Sequence, residues 1–318
     1  MKHKNYLGID IGGTAVKIGL VDEQGTVLHE GTYPDHFDQY ETPILDTVLK
    51  STDLFLEHYA VSVKDLCGIG VSATGLIDSE KGMVIGAVDH IRNWNGSRIK
   101  ERMQERYQLP VTVLNDANCA ALGEFFIGAA KGASDVIVVT VGTGIGGGIL
   151  VNSRLLMGAR GLSGEIGNMI MNYAGADGEN AQQTGYYEQC ASTTALICMV
   201  RDGIRSGKIK GMDETKIDGK IIFDTIKLGN QELQEITDQW TGYVAAGLVS
   251  LIHIFNPELI LIGGGVSAQK ELFINKLREK VLGTVMPAYR ENLRIEAAAL
   301  KNNAGLVGAV YYCMSQIH

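Results

Sequence analysis

The chain has 318 residues, 45% hydrophobic and 20% charged, with 40 glycines and a net charge of −8, so it can form two domains that each bury a core. The acidic balance argues against nucleic acid as the main partner, because nucleic-acid binding usually rests on a basic surface. The five cysteines form no Cys-x-x-Cys pair and the longest apolar run, Tyr243–Phe255, is too short to cross a bilayer, so we expect a cytoplasmic protein with reduced thiols and no membrane partner.

The chain begins with a predicted β-hairpin around a glycine-rich turn. A short apolar strand, Tyr6–Ile9, leads into Asp10-Ile-Gly12-Gly13-Thr14, and a second β-like run follows at Val16–Val21. Glycine tolerates positive φ and lets the backbone approach phosphate oxygens closely. The turn is therefore a candidate phosphate loop.

Two charged residues flank this turn, and each has two interpretations. Asp10 would repel a phosphate unless a cation lay between them, so it is either a Mg²⁺ anchor, directly or through water, or a turn or cap aspartate. Lys17 either neutralises phosphate charge or is a solvated strand residue.

The next elements alternate between helix and strand. We predict a helix with Thr42 as N-cap and Pro43 at its first position, strands at Gly68–Ser72 and Val111–Leu114, and a helix at Asn118–Ala130. This alternation is typical of an α/β fold with a mixed sheet.

Asn115 and Asp116 close one of these strands and open the helix that follows. Both residue types are preferred helix N-caps, which is one interpretation. Ligands of α/β sheets also bind at the carboxyl ends of strands, and a carboxylate there could take a proton from a substrate hydroxyl. The residues alone leave the two interpretations open.

A second glycine-rich turn repeats the first one 130 residues later. The strand Val136–Val141 precedes Gly142–Gly148, the run Ile149–Val151 follows it, and Ile9–Gly12 aligns with Val139–Gly142 without a gap. The repeat predicts two related lobes that bind one phosphate-bearing ligand, ATP. The turn contains a Gly-x-Gly-x-x-Gly match, but a dinucleotide motif must open a helix, and here a β-run follows.

The carboxy-terminal half contains further helices, strands and glycine-rich loops. Gly164-Glu165-Ile-Gly-Asn168 and Glu188 lie in loop-like surroundings, where they either bind sugar hydroxyls or are ordinary surface residues. The predicted regular elements are the helix Leu233–Phe255, the strand Leu259–Ile262 before Gly263-Gly264-Gly265, the helix Ala268–Leu282, the strand Arg294–Ala298 and the helix Ala304–Ile317.

Together these motifs resemble the sugar kinases of the ROK family, within the actin/hexokinase-like superfamily. They occur in the family's order over nearly the whole chain: Asp10-Ile-Gly-Gly-Thr14, Asn115-Asp-Ala-Asn118, Gly142-Thr-Gly-Ile-Gly-Gly-Gly148, Gly164-Glu-Ile-Gly167 and Leu261-Ile-Gly-Gly-Gly265. The resemblance implies an α/β fold with two ribonuclease H-like lobes, each a mixed sheet with flanking helices, and a cleft between them. It places the lobes at 1–117 and 118–301, with a terminal helix at 302–318 packing back on the first, and it implies a homodimer.

The resemblance also implies an activity and the residues that carry it. The activity is ATP-dependent phosphorylation of a sugar hydroxyl, the 6-OH of a glucose-type hexose or β-glucoside, with Asp116 as general base. The implied sugar-binding residues are Gly75, Asn115, Asp116, Glu165, Asn168 and Glu188. The implied ATP-binding residues are Asp10, which also holds Mg²⁺, with Gly12, Gly13, Thr14, Lys17, Gly142, Thr143, Gly144, Gly146, Gly263, Gly264 and Gly265.

The sequence departs from the family pattern in one segment. Most members have a histidine where Asn168 stands, followed by a cysteine-rich zinc motif, whereas Asn172–Tyr187 contains no cysteine. A structural zinc ion needs four ligands, so we expect no zinc. Zinc-less members include β-glucoside kinases and some N-acetylmannosamine kinases, and Leu300–Val310 looks like the former.

Several alternatives stay open. The substrate can also be glucose or N-acetylmannosamine. The family also includes sugar-responsive repressors, but these carry an N-terminal helix-turn-helix domain, and this acidic chain reaches its phosphate loop by Asp10. A sugar-binding module without activity is disfavoured because Asp10, Asp116 and all three glycine-rich loops are intact.

Overall fold

A computed structural model of the chain describes residues 4–13, 15–34, 41–86, 91–173 and 185–317. The strands in these ranges are β1 (Asn5–Ile11), β2 (Ala15–Asp22), β3 (Val27–Pro34), β4 (Leu66–Ala73), β5 (Leu76–Asp78), β6 (Met83–Gly86), β7 (Val111–Asn115), β8 (Val136–Val141), β9 (Ile145–Val151), β10 (Arg154–Leu155), β11 (Leu259–Gly263) and β12 (Arg294–Ala297). The α-helices are α1 (Ile44–His58), α2 (Ile99–Tyr107), α3 (Asp116–Phe126), α4 (Tyr187–Ala191), α5 (Thr193–Arg205), α6 (Gly219–Lys227), α7 (Gln231–Phe255), α8 (Asn275–Thr284) and α9 (Ala304–Ile317). None of these helices is both long and apolar enough to cross a membrane.

Ten of the described strands form two five-stranded sheets with the same internal order, and β5 and β6 form a separate two-stranded antiparallel sheet. The first sheet runs β3-β2-β1-β4-β7 and the second runs β10-β9-β8-β11-β12. In the first sheet β1 is antiparallel to β2, and β4 and β7 continue parallel to β1. In the second sheet β8, β11 and β12 are likewise parallel to one another. The predicted α/β class and the predicted duplication of a mixed sheet are confirmed.

The chain divides into two compact units. Unit 1 comprises Met1–Gly132, Gly148–Gly164 and Asn302–His318, and unit 2 comprises Ala133–Gly147 and Glu165–Lys301. The lobe boundaries expected from the resemblance stay a prediction.

In unit 1, α9 packs closely against one face of the first sheet. Cβ atoms added at Gly8 and Gly70 would lie 2.9 Å from Leu306 Cγ and 2.1 Å from the Ala309 carbonyl oxygen, respectively. Glycine at these positions therefore lets the helix backbone approach the strands. Alternate residues of β1, such as Leu7 and Ile9, belong to the apolar core that also contains residues of α1.

Two predicted helix starts are wrong by one or two residues. The N-cap of α1 is Pro43 and not Thr42, because Pro43 has an extended ψ of 131° and helical geometry begins at Ile44. Helix α3 begins at Asp116 instead of Asn118, because the Asn115 side chain caps it.

The second glycine-rich run and the helix predicted at 268–282 also differ from expectation. Strand β9 already begins at Ile145, so the turn is confined to Gly142–Gly144. The segment predicted as one helix is a 3₁₀ turn at Gly265–Ala268, a π-helical turn at Lys270–Ile274, and then α8.

Candidate active site

The carboxyl ends of three parallel strands meet at one edge of the first sheet. Ile11 of β1 pairs with Ala73 of β4, and Ala73 pairs with Asn115 of β7. Asp10 therefore lies one residue before this edge and Asp116 one residue beyond it. This edge is where ligands bind in α/β sheets.

Asp10 is held by its neighbours on both sides. The buried Ser72, its partner on β4, donates a hydrogen bond to Asp10 Oδ1, and Lys17 faces it on β2. Burial raises the pKa of Asp10, and the Ser72 hydrogen bond and the Lys17 charge oppose that rise. The Asp10 carboxylate therefore lies in a buried position with a hydrogen-bond donor and a positive charge beside it.

The carboxylate at this edge is suited to binding Mg²⁺, which does not require a site made of protein ligands alone. Mg²⁺ is usually held by one or two carboxylates together with water and substrate phosphates. Asp10 supplies one such carboxylate. Among the described residues no three or more His, Cys, Asp or Glu side chains are grouped to hold a metal ion.

Lys17 is bound within unit 1 and is not a solvated strand residue. Its ammonium group donates to Asn303 Oδ1 and to the Asn302 carbonyl oxygen, and it lies 3.6 Å from Glu30 Oε2. The segment before α9 therefore fixes the position of this positive charge.

Asn115 and Asp116 lie at the start of α3. Asn115 Oδ1 accepts hydrogen bonds from the Ala117 and Asn118 amides at 3.0 and 3.3 Å, and its Nδ2 donates to the Gly75 carbonyl oxygen at 3.0 Å. Asp116 Oδ1 accepts from the Ala117 amide at 2.7 Å. A helix N-terminus stabilises a carboxylate in its ionised form. The cap interpretation of Asn115 is correct, and its amide also ties Gly75 to this edge.

The two aspartates are electrostatic neighbours of one buried thiol. Burial raises the pKa of Cys119 well above its usual value, and the negative charges of Asp10 and Asp116 raise it further. The carboxylate implied to hold Mg²⁺ and the one implied to act as base therefore lie in the same part of unit 1.

The glycine turns have a different physical basis from the predicted one. The Gly12 amide donates to the Ala15 carbonyl oxygen and the Gly142 amide to that of Gly144, both at 3.0 Å. Positive φ is found at none of Gly12, Gly13, Gly142 and Gly144, so that part of the expectation is wrong. Gly146 lies within β9, and Thr14 lies outside the described residues.

Gly263 ends β11, Gly264 and Gly265 follow it, and Gly265 borders a cavity of unit 2. Gly264 has a φ of 86°, and a Cβ there would lie 2.1 Å from the Val141 carbonyl oxygen, so only glycine fits. The cavity has a volume of about 390 Å³. It is lined by Val141, Gly142, Thr143, Thr193, Thr194, Ile197, Gly219, Lys220, Phe223, Gly265, Val266 and Gln269.

Sequence reasoning missed the wall of this cavity that α5 and α6 form. Thr193 and Gly219 begin these helices, after the N-caps Ser192 and Asp218. Ser and Asp are preferred N-caps, and that signal could have located both helix starts. Phe223 and Ile197 give the cavity an apolar side.

Glu165, Asn168 and Glu188 come together elsewhere in unit 2. Asn168 Nδ2 lies 3.5 Å from Glu165 Oε2. The backbone amide of Asn168 donates to the Glu165 carbonyl oxygen at 3.2 Å. Burial raises the pKa of Glu165, and the charge of Glu188 raises it further. These side chains offer the hydrogen-bonding groups that suit the hydroxyls of a sugar.

Comparison with known proteins matches nearly the whole chain to one family. The model described as "ROK family" matches residues 6–316. The chain belongs to the ROK family. This membership confirms the resemblance drawn from the motifs.

Relatives and solved structures agree with that assignment. This ROK-family chain is 33% identical over 310 residues to a β-glucoside kinase of Listeria monocytogenes, covering 96% of each chain. It is 30% identical over 321 residues to a glucokinase of Halalkalibacterium halodurans, covering 99% of this chain and 97% of that one. The crystal structure of a ROK family glucokinase from Streptomyces griseus in complex with glucose and AMPPNP is similar with a TM-score of 0.82 and 30% identity, over 98% and 99% of the two chains. The actin/hexokinase-like fold expected from the resemblance is confirmed.

Proposed function

We propose that this ROK-family protein transfers the γ-phosphoryl group of ATP to a sugar hydroxyl group. The observation that carries the proposal is Asp116, a carboxylate at the sheet edge that also holds Asp10. The relatives named glucokinase and β-glucoside kinase support the same reaction class.

In the proposed reaction Asp116 is the general base. Its carboxylate takes the proton of the sugar hydroxyl as the hydroxyl oxygen bonds to the γ-phosphorus and the bond to the β-phosphate oxygen breaks, which releases ADP. Asn115 caps α3 and so fixes the backbone that carries Asp116. The hydrogen bond from the Ala117 amide orients the Asp116 carboxylate before the transfer.

ATP is proposed to bind with its adenosine in the 390 Å³ cavity, where Phe223 and Ile197 offer apolar contact. Gly263, Gly264 and Gly265 belong to that site. The turns at Gly12–Gly13 and Gly142–Gly144, with Thr14 and Gly146, are proposed to contact the phosphates. Mg²⁺ bound through Asp10 would neutralise phosphate charge during transfer. Lys17 is proposed to add positive charge there.

The sugar is proposed to bind through Gly75, Asn115, Glu165, Asn168 and Glu188. The proposed substrate is a glucose-type hexose or a β-glucoside, and the proposed acceptor is its 6-OH. The relative from Listeria monocytogenes, which is named a β-glucoside kinase, supports this choice. Glucose and N-acetylmannosamine are the alternatives. No zinc is proposed to take part.

We further propose that the protein is cytoplasmic and forms a homodimer. Within each chain, the first lobe is proposed to comprise residues 1–117 together with 302–318, and the second lobe residues 118–301. Sedimentation of the purified protein tests the dimer.

A screen for sugar-dependent ADP formation tests the proposed activity. The purified protein is incubated with ATP, Mg²⁺ and one of glucose, cellobiose, gentiobiose, N-acetylmannosamine, mannose or fructose. ADP formation that depends on at least one sugar is expected. ADP formation equal to the sugar-free rate with all of them would contradict the proposal.

A further inference from the structure

The space beside Gly144 is filled by the carboxylate of Glu188. A Cβ at Gly144 would lie 2.7 Å from Glu188 Oε2, closer than real Cβ contacts. At Gly142, two residues earlier in the same turn, a Cβ would meet nothing within 4 Å. Neither glycine has a positive φ. The turn therefore requires glycine at position 144 for a steric reason that does not apply at 142.

A second glycine limits the Glu188 carboxylate from another side. A Cβ at Gly167 would lie 3.4 Å from Glu188 Oε2 and 2.4 Å from the Ile145 carbonyl oxygen. Gly167 follows Glu165 by two residues, and the Glu188 charge raises the pKa of Glu165. The carboxylate thus lies between the glycine turn and the segment that carries Glu165 and Asn168.

The backbone of Glu188 is fixed by contacts on both sides. Tyr187 is fully buried and its hydroxyl donates to the Val244 carbonyl oxygen at 2.8 Å. Trp240 Nε1 donates to the Ala191 and Ser192 carbonyl oxygens at 3.0 and 2.9 Å. The Thr193 amide donates to the Gly142 carbonyl oxygen at 2.8 Å. Helix α4 therefore cannot move away from the glycine turn without breaking these hydrogen bonds. The Glu188 side chain can instead rotate away from residue 144.

We propose that Gly144 is a positioning residue for the sugar and does not serve the phosphates alone. Because Gly144 has no side chain, the Glu188 carboxylate can occupy the space beside it. In that position the carboxylate can accept a hydrogen bond from a sugar hydroxyl. This inference rests on the proposed function, in which Glu188 binds the sugar. A methyl group at position 144 turns the carboxylate away, while the fold persists because the displaced atoms end a flexible side chain.

The predicted kinetic effects separate the two glycines of one turn. Gly144→Ala raises the KM for the sugar about 10- to 100-fold, as expected when a hydrogen bond to a charged group is lost, with little change in the KM for ATP. Gly142→Ala adds a methyl group to the open side of the turn, so it raises the KM for ATP and leaves the KM for the sugar unchanged.

Glu188→Asp provides the decisive control. Aspartate is one methylene shorter, so its carboxylate withdraws from the Cβ of residue 144. Glu188→Asp alone raises the KM for the sugar, and adding Gly144→Ala to it raises that KM by less than about threefold, which is a strongly non-additive result.

The experiment measures both KM values, kcat and the melting temperature for wild type, Gly142→Ala, Gly144→Ala, Glu188→Asp and the double variant. Gly242→Ala, at a helical position where a Cβ meets nothing within 4 Å, controls for the substitution itself. A Gly144→Ala enzyme with a raised KM for ATP and an unchanged KM for the sugar would overturn the inference. The inference would also be overturned if Gly144→Ala raised the KM for the sugar by the same factor in the wild-type background and in the Glu188→Asp background. A wild-type protein that phosphorylates no sugar would instead refute the proposed function, and the inference with it.

Discussion

Gly305 leaves room for the carboxylate of Asp10. A Cβ at Gly305 would lie 2.9 Å from Asp10 Oδ1 and 3.0 Å from Oδ2. Asn303, two residues earlier, accepts a hydrogen bond from Lys17. The start of α9 therefore determines where both charged groups of the first glycine turn can lie, although it is about 290 residues away in sequence.

Gly305→Ala should impair the Asp10 site without unfolding the protein. The added methyl group displaces the carboxylate, and alanine is the better helix former. We expect a loss of roughly 10²-fold in kcat/KM for MgATP, the size associated with misplacing a reacting group by about 1 Å. Steady-state kinetics with Gly283→Ala as control tests this, because a Cβ at Gly283 meets nothing within 4 Å. Equal activity of the two variants would show that Gly305 has no such role.

Asp10→Asn should raise the melting temperature at pH 7 while removing most activity. Burial raises the pKa of Asp10 above its ordinary value of 3.8, so the ionised carboxylate opposes folding at neutral pH. The contribution of Asp10 to the stability of the wild type is therefore fully present below pH 3.8 and is lost as the pH rises through the folded-state pKa of this group. Asparagine can still accept the Ser72 hydrogen bond but carries no charge.

The difference in melting temperature between Asp10→Asn and wild type should therefore shrink as the pH is lowered toward 3.8. Thermal unfolding of both proteins between about pH 4 and pH 7 measures it. A difference that does not change with pH would rule out the charge of Asp10 as its cause.

Asp116→Asn should lower kcat by about 10²–10⁴-fold, as is typical for loss of a general base. The fold and sugar binding should persist, because the amide oxygen of asparagine can still accept from Ala117 and Asn115 still caps α3. Kinetics and calorimetric sugar titration test this, with Asp213→Asn on an exposed turn as the control. A variant that keeps more than roughly a tenth of the wild-type rate would exclude Asp116 as the base.

Purified protein should contain far less than one zinc ion per chain. The segment Asn172–Tyr187 has no cysteine and Asn168 replaces the family's histidine, so the ligands for a tetrahedral zinc site are missing. Elemental analysis after dialysis without chelator measures the zinc content. A stoichiometric amount would refute the expectation.

The duplicated sheets could be predicted because their signals are local. The strand before each glycine turn is short and apolar, and the two turns align without a gap. The helix predicted at 233–255 was also nearly correct, since Asn256 in a left-handed conformation followed by Pro257 ends α7 where the pattern indicated.

The details of the candidate site could not be predicted in this way. The Ser72 hydrogen bond to Asp10 depends on the register of β1 and β4, which lie about 60 residues apart. The cavity depends on how α5 and α6 pack beside the turn at Gly142, and the contact between Gly144 and Glu188 depends on the anchoring of α4 by Trp240. These are tertiary relationships, and no local pattern encodes them.

The most direct test of the proposed function follows the γ-phosphoryl group itself. Wild-type protein is incubated with Mg²⁺, a sugar from the panel and ATP labelled with ¹⁸O in the γ-phosphoryl group. The products are then separated, and mass spectrometry shows which of them carries the ¹⁸O label. We expect labelled sugar phosphate with wild type and at most a trace with Asp116→Asn. Label found only in inorganic phosphate, or in no product with any sugar of the panel, would contradict a sugar kinase.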